Sequence, residues 1–230
     1  MTLGQPRLHL RVTGSTNARA RELAATGAPH GTTVTAREQT AGRGRQGRTW
    51  VAPPGRALLC SVLVRELPRL LPLAAGVAVA ETVDAVAPST GGALVKWPND
   101  VWLSGRKVAG ILVEGRPQEG WGVIGIGLNV AVREADFPPE LRSTATTLGL
   151  GPEAIEPTLE RLLGVLEKWL GASADAVLDA VRAHDALRDQ PVRWAGGSGR
   201  GGGIDGDGRL IVLTDDGRVG LEAGEVHLLR

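Results

Sequence analysis

The stretch Gly42-Arg43-Gly44-Arg45-Gln46-Gly47-Arg48 interleaves arginines with glycines. Glycine lets backbone N–H groups approach a ligand closely and takes positive φ angles at little steric cost. Arginine carries a permanent charge on a planar fork that matches phosphate and carboxylate oxygens. The stretch therefore predicts a flexible cationic loop that encloses an anion, although a solvated surface loop or a nucleic-acid contact gives a similar pattern. It lacks the terminal Gly-Lys-Ser/Thr of a Walker A loop.

A second motif, Lys96-Trp97-Pro98-Asn99-Asp100, lies further along the chain. Residues 93–97 predict a strand that Pro98 ends, because proline cannot donate to the next ladder hydrogen bond. A lysine at a strand end can be a solvated terminus. Beside Asp100 it can also serve as a mobile point charge that holds carboxylate and phosphate oxygens.

The remainder of the chain predicts an α+β fold in which helices pack on a sheet. Apolar and β-branched runs predict strands, and apolar residues at helical spacing predict helices. The predicted strands are 8–12, 32–36, 57–64, 93–97, 108–113 and 121–130, and the predicted helices are 18–25, 73–86, one that begins at Pro157, and 174–187. After Asp189, short strands separated by Gly and Asp turns predict a small β-barrel, in which the glycine-rich segment 195–202 should be a mobile or degenerate strand.

Bulk properties narrow the class of protein. The chain has 230 residues, enough for a real core, and a formal charge of +1, which gives no global basic field of the kind that drives nucleic-acid binding. The lone Cys60 excludes an intrachain disulfide and a cysteine-built metal site. Neither a signal peptide nor a long apolar span is visible, so we expect a cytoplasmic protein without a membrane partner.

Taken together and in order, the motifs resemble those of the biotin protein ligases. The family's G-R-G-R-x-G-R loop corresponds to residues 42–48, and its K-W-P-N-D motif to residues 96–100. Three further matches are S-T-N at 15–17, R-K-x-A-G-I-L-x-E at 106–114, and G-x-G-x-N-x at 125–130, with a weaker one at 203–205. One departure is Gly14, where many relatives carry aspartate. The resemblance covers residues 13–130.

The resemblance implies a fold and an activity. The expected fold is α+β, with a mixed-sheet catalytic domain of the class II synthetase/biotin ligase type over residues 1–187 and a small SH3-like β-barrel over 188–230. The expected reaction uses ATP, biotin and Mg²⁺ to attach biotin to a lysine of a biotin carboxyl carrier protein through biotinyl-5'-AMP, with release of pyrophosphate and AMP. Few residues precede Ser15, so we expect a monofunctional ligase without an N-terminal DNA-binding domain, either a monomer or a homodimer, with no specific nucleic-acid partner.

The resemblance also implies roles for individual residues. Lys96 and Arg45 would be catalytic. Biotin would be bound by Ser15, Thr16, Asn17, Gln39, Gly42, Arg43 and Lys96. The nucleotide and the adenylate would be bound by Arg43, Gly44, Arg45, Arg48, Trp50, Asn99, Lys107 and Asn129. The sequence identifies neither a metal ligand nor a general base for the acceptor lysine.

Three alternative functions are open at this point. A lipoate–protein ligase has a similar fold and performs the same adenylation on another acid, although residues 42–48 and 96–100 favour biotin. The Gly/Arg loop could contact RNA or DNA, but the near-neutral charge and few interleaved aromatics disfavour this. A non-catalytic biotin-binding module would not require Lys96 and all three loop arginines.

Overall fold

The computed structural model describes residues 2–229, which form two β-sheets and four α-helices. The helices are α1 (Thr16–Ala25), α2 (Leu71–Val86), α3 (Ile155–Leu170) and α4 (Ala174–Ala183). The strands of the large sheet are β1 (Arg7–Leu10), β2 (Thr33–Ala36), β3 (Leu58–Val64), β4 (Ala93–Lys96), β5 (Asp100–Leu103), β6 (Arg106–Arg116) and β7 (Trp121–Leu128). The small sheet contains β8 (Pro191–Trp194), β9 (Gly197–Ile204), β10 (Leu210–Thr214), β11 (Gly217–Leu221) and β12 (His227–Leu228).

The large sheet is mixed, with the strand order β1-β2-β3-β7-β6-β5-β4. Strands β1 and β2 are parallel, and the remaining neighbours are antiparallel. Every residue of β3 is buried, as its apolar run predicts for a central strand. The predicted mixed-sheet α+β architecture is confirmed.

The two faces of the large sheet pack against different parts of the protein. Cys60 and Val62 of β3 belong to the main apolar core, together with α2 and α3. Leu63 belongs instead to a smaller cluster with α1 on the opposite face, and Ser61 bonds to residues at the start of that helix. Because side chains alternate along a strand, this second face is left for α1 and for polar chemistry.

The predicted degenerate strand at 195–202 is wrong, because residues 197–204 form β9, which pairs with both β8 and β10. The glycines allow close backbone approach. A Cβ at Gly201 would lie 1.9 Å from the Leu187 carbonyl oxygen, and one at Gly199 would lie 2.4 Å from that of Leu213. Hydrophobic patterning could not reveal this strand. Its glycines have no side chains to alternate, and the close packing of β9 against its neighbours depends on that absence.

The small sheet is attached to the strand-end motif of the large one. The indole Nε1 of Trp97 donates to the Gly208 carbonyl oxygen at 3.0 Å. Val192, Leu210 and Val226 of the small-sheet region lie in the same apolar cluster as α2. This attachment brings residues 224–228 to the polar face of the large sheet. Among the helices that the structure describes, none is long and apolar enough to cross a membrane.

Candidate active site

Glycines make the floor of the site. Gly110 and Gly127 are directly paired across β6 and β7, and the Trp50 indole lies over both. A Cβ at Gly127 would be 2.5 Å from Trp50 Cε2, and one at Gly110 would be 3.1 Å from Cζ3. The spaced glycines therefore provide the flat surface on which the aromatic ring rests. Trp50 Nε1 is buried without a hydrogen-bond partner in residues 2–229, so it can donate to a ligand acceptor.

The start of α1 presents polar groups to this floor. Ser15 is the N-cap, and its hydroxyl accepts from the Ala18 N–H at 3.5 Å. Gln39 Oε1 accepts from the Thr16 backbone N–H at 2.7 Å and lies 3.0 Å from the Thr16 hydroxyl. The expected cap at Ser15 is present, and Ser15, Thr16, Asn17 and Gln39 all line the cavity.

The Gly/Arg loop is closed by its own backbone. The Trp50 N–H donates to Gly42 O at 3.0 Å and the Gly44 N–H donates to Arg48 O at 2.7 Å. A Cβ at Gly42 would lie 2.4 Å from Trp50 O, so this position needs glycine to close the base of the loop. Gly42 does not itself line the cavity.

Two loop arginines reach other segments. Arg45 donates to Asn99 Oδ1 at 3.1 Å and so contacts the strand-end motif. Arg48 forms an ion pair with Glu225 from the C-terminal region. The loop is thus held over the sheet by polar contacts that a bound anion can replace.

Asp100 lies between two lysines. Its Oδ1 is 2.6 Å from Lys107 Nζ, and its Oδ2 is 4.0 Å from Lys96 Nζ. Burial lowers the pKa of Lys96, while the Asp100 carboxylate acts in the opposite direction. Lys107 Nζ also lies 5.7 Å from the Trp50 ring centroid. The arrangement concentrates positive charge beside the floor, with one carboxylate shared between two ammonium groups.

These elements enclose a cavity of about 570 Å³, within the range of small-molecule sites. Of the predicted site residues, all except Gly42 line it: Ser15, Thr16, Asn17, Gln39, Arg43, Gly44, Arg45, Arg48, Trp50, Lys96, Asn99, Lys107 and Asn129. Asn129 donates to the Thr146 carbonyl oxygen at 2.9 Å and so fixes the neighbouring wall. The structure brings residues from the whole length of the predicted site together.

Sequence reasoning missed part of the wall. Asp100 lines the cavity and belongs to the Lys-Trp-Pro-Asn-Asp motif, but the motif alone predicts no site role for it. Further lining residues without a predicted role include Phe137, Leu141, Thr144, Ala145, and residues 224–228. The first four lie in a segment of 3₁₀ turns without a chemical motif, and Glu225 has no local signal that distinguishes it from a solvated carboxylate.

We expect amide protection over residues 40–50 to rise when biotin is added. The described loop is closed by few backbone bonds, and a ligand beneath it would add contacts to the arginines and to Trp50. Hydrogen–deuterium exchange with and without biotin measures the change. Similar exchange in both states would contradict a loop that is disordered without ligand and ordered with it.

Comparison with known proteins identifies the class. Residues 9–130 match the model of the Biotin/lipoate A/B protein ligase family. The chain is 38% identical to a biotin–[acetyl-CoA-carboxylase] ligase of Mycobacterium tuberculosis, over 95% of this chain and 87% of that one. It is 33% identical to the bifunctional ligase/repressor BirA of Bacillus spizizenii, over 98% of this chain and 75% of the relative.

A solved structure shows the same similarity. A biotin protein ligase from Aquifex aeolicus, in complex with biotin and ATP, has a TM-score of 0.83 and 28% identity, covering 97% of this chain and 98% of that one. The chain belongs to the Biotin/lipoate A/B protein ligase family. The resemblance to the biotin branch, first seen in the motifs, is confirmed by these relatives.

Proposed function

We propose that the chain is a biotin protein ligase, which attaches biotin to a lysine of the biotin carboxyl carrier protein of acetyl-CoA carboxylase at the expense of ATP. The main support for this proposal is that one cavity contains the glycine floor under Trp50 together with Lys96, Lys107 and the loop arginines. Two relatives quoted above are named as biotin ligases, which favours biotin over lipoate.

In the first half-reaction, a biotin carboxylate oxygen attacks the α-phosphorus of ATP. A P–O bond forms to give biotinyl-5'-AMP, and pyrophosphate leaves. Charge that develops on the phosphoryl oxygens is stabilised by fixed cations. We assign this task to Lys96 and Arg45, with Arg43, Arg48 and Lys107 around the polyphosphate.

ATP enters this proposal as its magnesium complex. Within residues 2–229 no three His, Cys, Asp or Glu side chains come close enough to hold a metal ion. Magnesium commonly uses one or two carboxylates together with substrate phosphates. The phosphate oxygens would therefore supply most of the magnesium ligands.

We assign the positions of the biotin ring and the adenosine from the chemistry of the residues that line the cavity. Ser15, Thr16 and Gln39 would bind the polar ring of biotin, with Trp50 covering it. The adenosine would lie near Asn129 and the apolar groups of Phe137, Leu141 and Ala145, which suit an aromatic base. Asn99 would reach the nucleotide by way of Arg45, to which it is bonded.

In the second half-reaction, the acceptor amine attacks the carbonyl carbon of the adenylate, an amide bond forms, and AMP leaves. The adenylate hydrolyses readily, so the loop must exclude water until the acceptor arrives. We place the enzyme in the cytoplasm, where ATP and the carrier protein are both present. We propose that it acts as a monomer or a homodimer.

The division of the chain is a further part of the proposal. The large sheet and α1–α4 would form a class II synthetase-like catalytic domain over residues 1–187. The five-stranded sheet of residues 188–230 would be the SH3-like domain. Its strand order, β11-β10-β9-β8-β12, is that of a four-stranded meander with a short last strand added beside β8, which supports a small barrel.

The decisive test is biotin-dependent exchange of labelled pyrophosphate into ATP, with lipoate and octanoate as parallel acids. We expect exchange with biotin alone. Exchange with lipoate alone would move the activity to the lipoate branch of the family. Absence of exchange with all three acids would mean that the cavity binds without catalysing.

Replacing Arg45 with glycine should release the adenylate. The Arg45 guanidinium joins the loop to Asn99 at 3.1 Å, and its loss removes both this contact and a cation beside the phosphoryl group. We expect labelling of lysines on bystander proteins to increase at least about tenfold, measured by streptavidin blot. Gln46→Gly in the same loop is the control, and unchanged bystander labelling in Arg45→Gly would count against the role.

A further inference from the structure

A chain of hydrogen bonds runs behind Thr16 and Gln39, which are proposed above to bind the polar ring of biotin. Arg21 is 2.8 Å from Glu114 Oε1, and the other carboxylate oxygen of Glu114 accepts from Asn17 Nδ2 at 2.8 Å. Ser61, which is fully buried, lies 2.6 Å from Asn17 Oδ1 and 2.8 Å from the Thr16 hydroxyl. Neither Glu114 nor Ser61 belongs to the predicted site.

The donor and acceptor directions of these hydrogen bonds are fixed at both ends of the series. Asn17 Nδ2 faces two groups that only accept, the Glu114 carboxylate and the Leu112 carbonyl oxygen at 3.2 Å, so Asn17 Oδ1 must face Ser61. Gln39 Oε1 is likewise identified as oxygen because it accepts from the Thr16 backbone N–H. The Asn17 amide has no room to shift, since a Cβ on Gly125 would be 2.0 Å from its Oδ1.

Between these two acceptors the chain is one proton short. The contacts Asn17–Ser61, Ser61–Thr16 and Thr16–Gln39 number three, and the two hydroxyls have only one proton each. Ser61 must donate to Asn17 Oδ1, so Thr16 can satisfy Ser61 or Gln39 but not both. When Thr16 donates to Ser61, a ligand N–H that donates to Gln39 Oε1 supplies the missing proton.

We propose that Ser61 and Glu114 are positioning residues that make the pocket rich in acceptors, and thereby select an acid whose ring carries N–H donors. The inference rests on the proposed function. The cyclic urea of biotin has two N–H groups, whereas the dithiolane of lipoate and the alkyl chain of octanoate have none. A site built to pair with N–H groups rejects analogues that lack them, because its buried acceptors are left unpaired.

Ser61→Ala tests the proton count directly. The variant leaves Thr16 free to donate to Gln39, so the demand for a ligand N–H is relaxed. We expect the KM for biotin in pyrophosphate exchange to rise about tenfold with kcat little changed, and the biotin-to-octanoate discrimination to fall by a similar factor. Desthiobiotin, which keeps the urea and loses the sulfur, should be weakened in parallel with biotin.

Glu114 provides a second, independent pair of variants. Glu114→Ala removes one acceptor that orients Asn17 and should raise the KM for biotin, while Glu114→Gln keeps an acceptor oxygen for Asn17 but loses the Arg21 ion pair and should restore part of the binding. Glu22→Ala, which breaks an exposed ion pair with Arg19 on α1, is the matched control. A biotin KM and an acid discrimination unchanged in both Ser61→Ala and Glu114→Ala would overturn the inference.

Failure of the proposed function is distinguishable from failure of this inference. If the unaltered protein shows no biotin-dependent exchange, the function itself is wrong. If it exchanges with biotin and the variants lower kcat as strongly as they raise KM, the two residues have only a general structural role. If Ser61→Ala fails to fold, the Glu114 pair decides.

Discussion

Replacing Lys96 with alanine should lower the rate of biotin-dependent pyrophosphate exchange by at least about a thousandfold. A fixed cation that stabilises charge on a transferring phosphoryl group commonly contributes this much. Lys96 is 8% exposed, at the end of β4, where the sheet holds its ammonium group beside the floor. The nearest other ammonium, on Lys107, is already paired at 2.6 Å with Asp100 and cannot replace it.

Two further variants separate charge from folding. Lys168→Ala removes an exposed lysine paired with Glu81 and should leave exchange unchanged. Lys96→Arg keeps a cation whose charge persists at high pH. Because burial lowers the pKa of Lys96, exchange by the unaltered protein should fall as pH rises through a value below the ordinary 10.5 of lysine, and residual exchange by Lys96→Arg should lack that fall. Exchange by Lys96→Ala within a few fold of the unaltered protein would refute the assignment.

Gly127→Ala should raise the KM for biotin at least about a hundredfold. The added Cβ would lie 2.5 Å from Trp50 Cε2, and the pairing of β7 with β3 and β6 holds the backbone of Gly127 in place. The indole must leave the floor, and misplacement by about an ångström can cost two orders of magnitude. Pyrophosphate exchange as a function of biotin concentration measures the effect.

Gly164→Ala is the matched control. It adds the same methyl group to α3, where a Cβ meets nothing within 4 Å, and should stabilise that helix slightly without altering exchange. Trp50→Leu in the Gly127→Ala background should regain part of the binding, because the smaller side chain leaves space for the new methyl. A Gly127→Ala protein with unchanged biotin KM would show that Trp50 does not rest on this floor during binding.

The architecture of the large sheet could be read from the sequence because its signals are local. The apolar run 57–64 becomes the buried β3, and the helical spacing after Leu73 becomes α2, which begins at Leu71. The predicted helix 174–187 ends at Ala183, since His184 and Ala186 bond to Val95 at the sheet edge instead. Tertiary hydrogen bonds of this kind leave no trace in helical periodicity.

The site residues likewise fall into those that the sequence could predict and those that it could not. Residues in contiguous motifs, such as Thr16 and Lys96, could be placed because the motif states both their chemistry and their neighbours. Ser61 lies in an apolar run and Glu225 in a featureless terminal strand region, so their roles depend on partners far away in sequence. Strand register and the docking of the small sheet decide those partners, and neither is encoded in a short window.

Because Trp97 is hydrogen-bonded to Gly208, the small sheet cannot be replaced by an arbitrary small sheet of another protein. Gly208 has a φ of +80°, and a Cβ there would lie 2.7 Å from Leu70 Cδ2, so this turn accepts no ordinary residue. Its backbone oxygen holds the residue next to Lys96. An exchange of the whole small sheet therefore has to preserve this one turn, because Trp97, the neighbour of Lys96, would otherwise lose its hydrogen-bond partner.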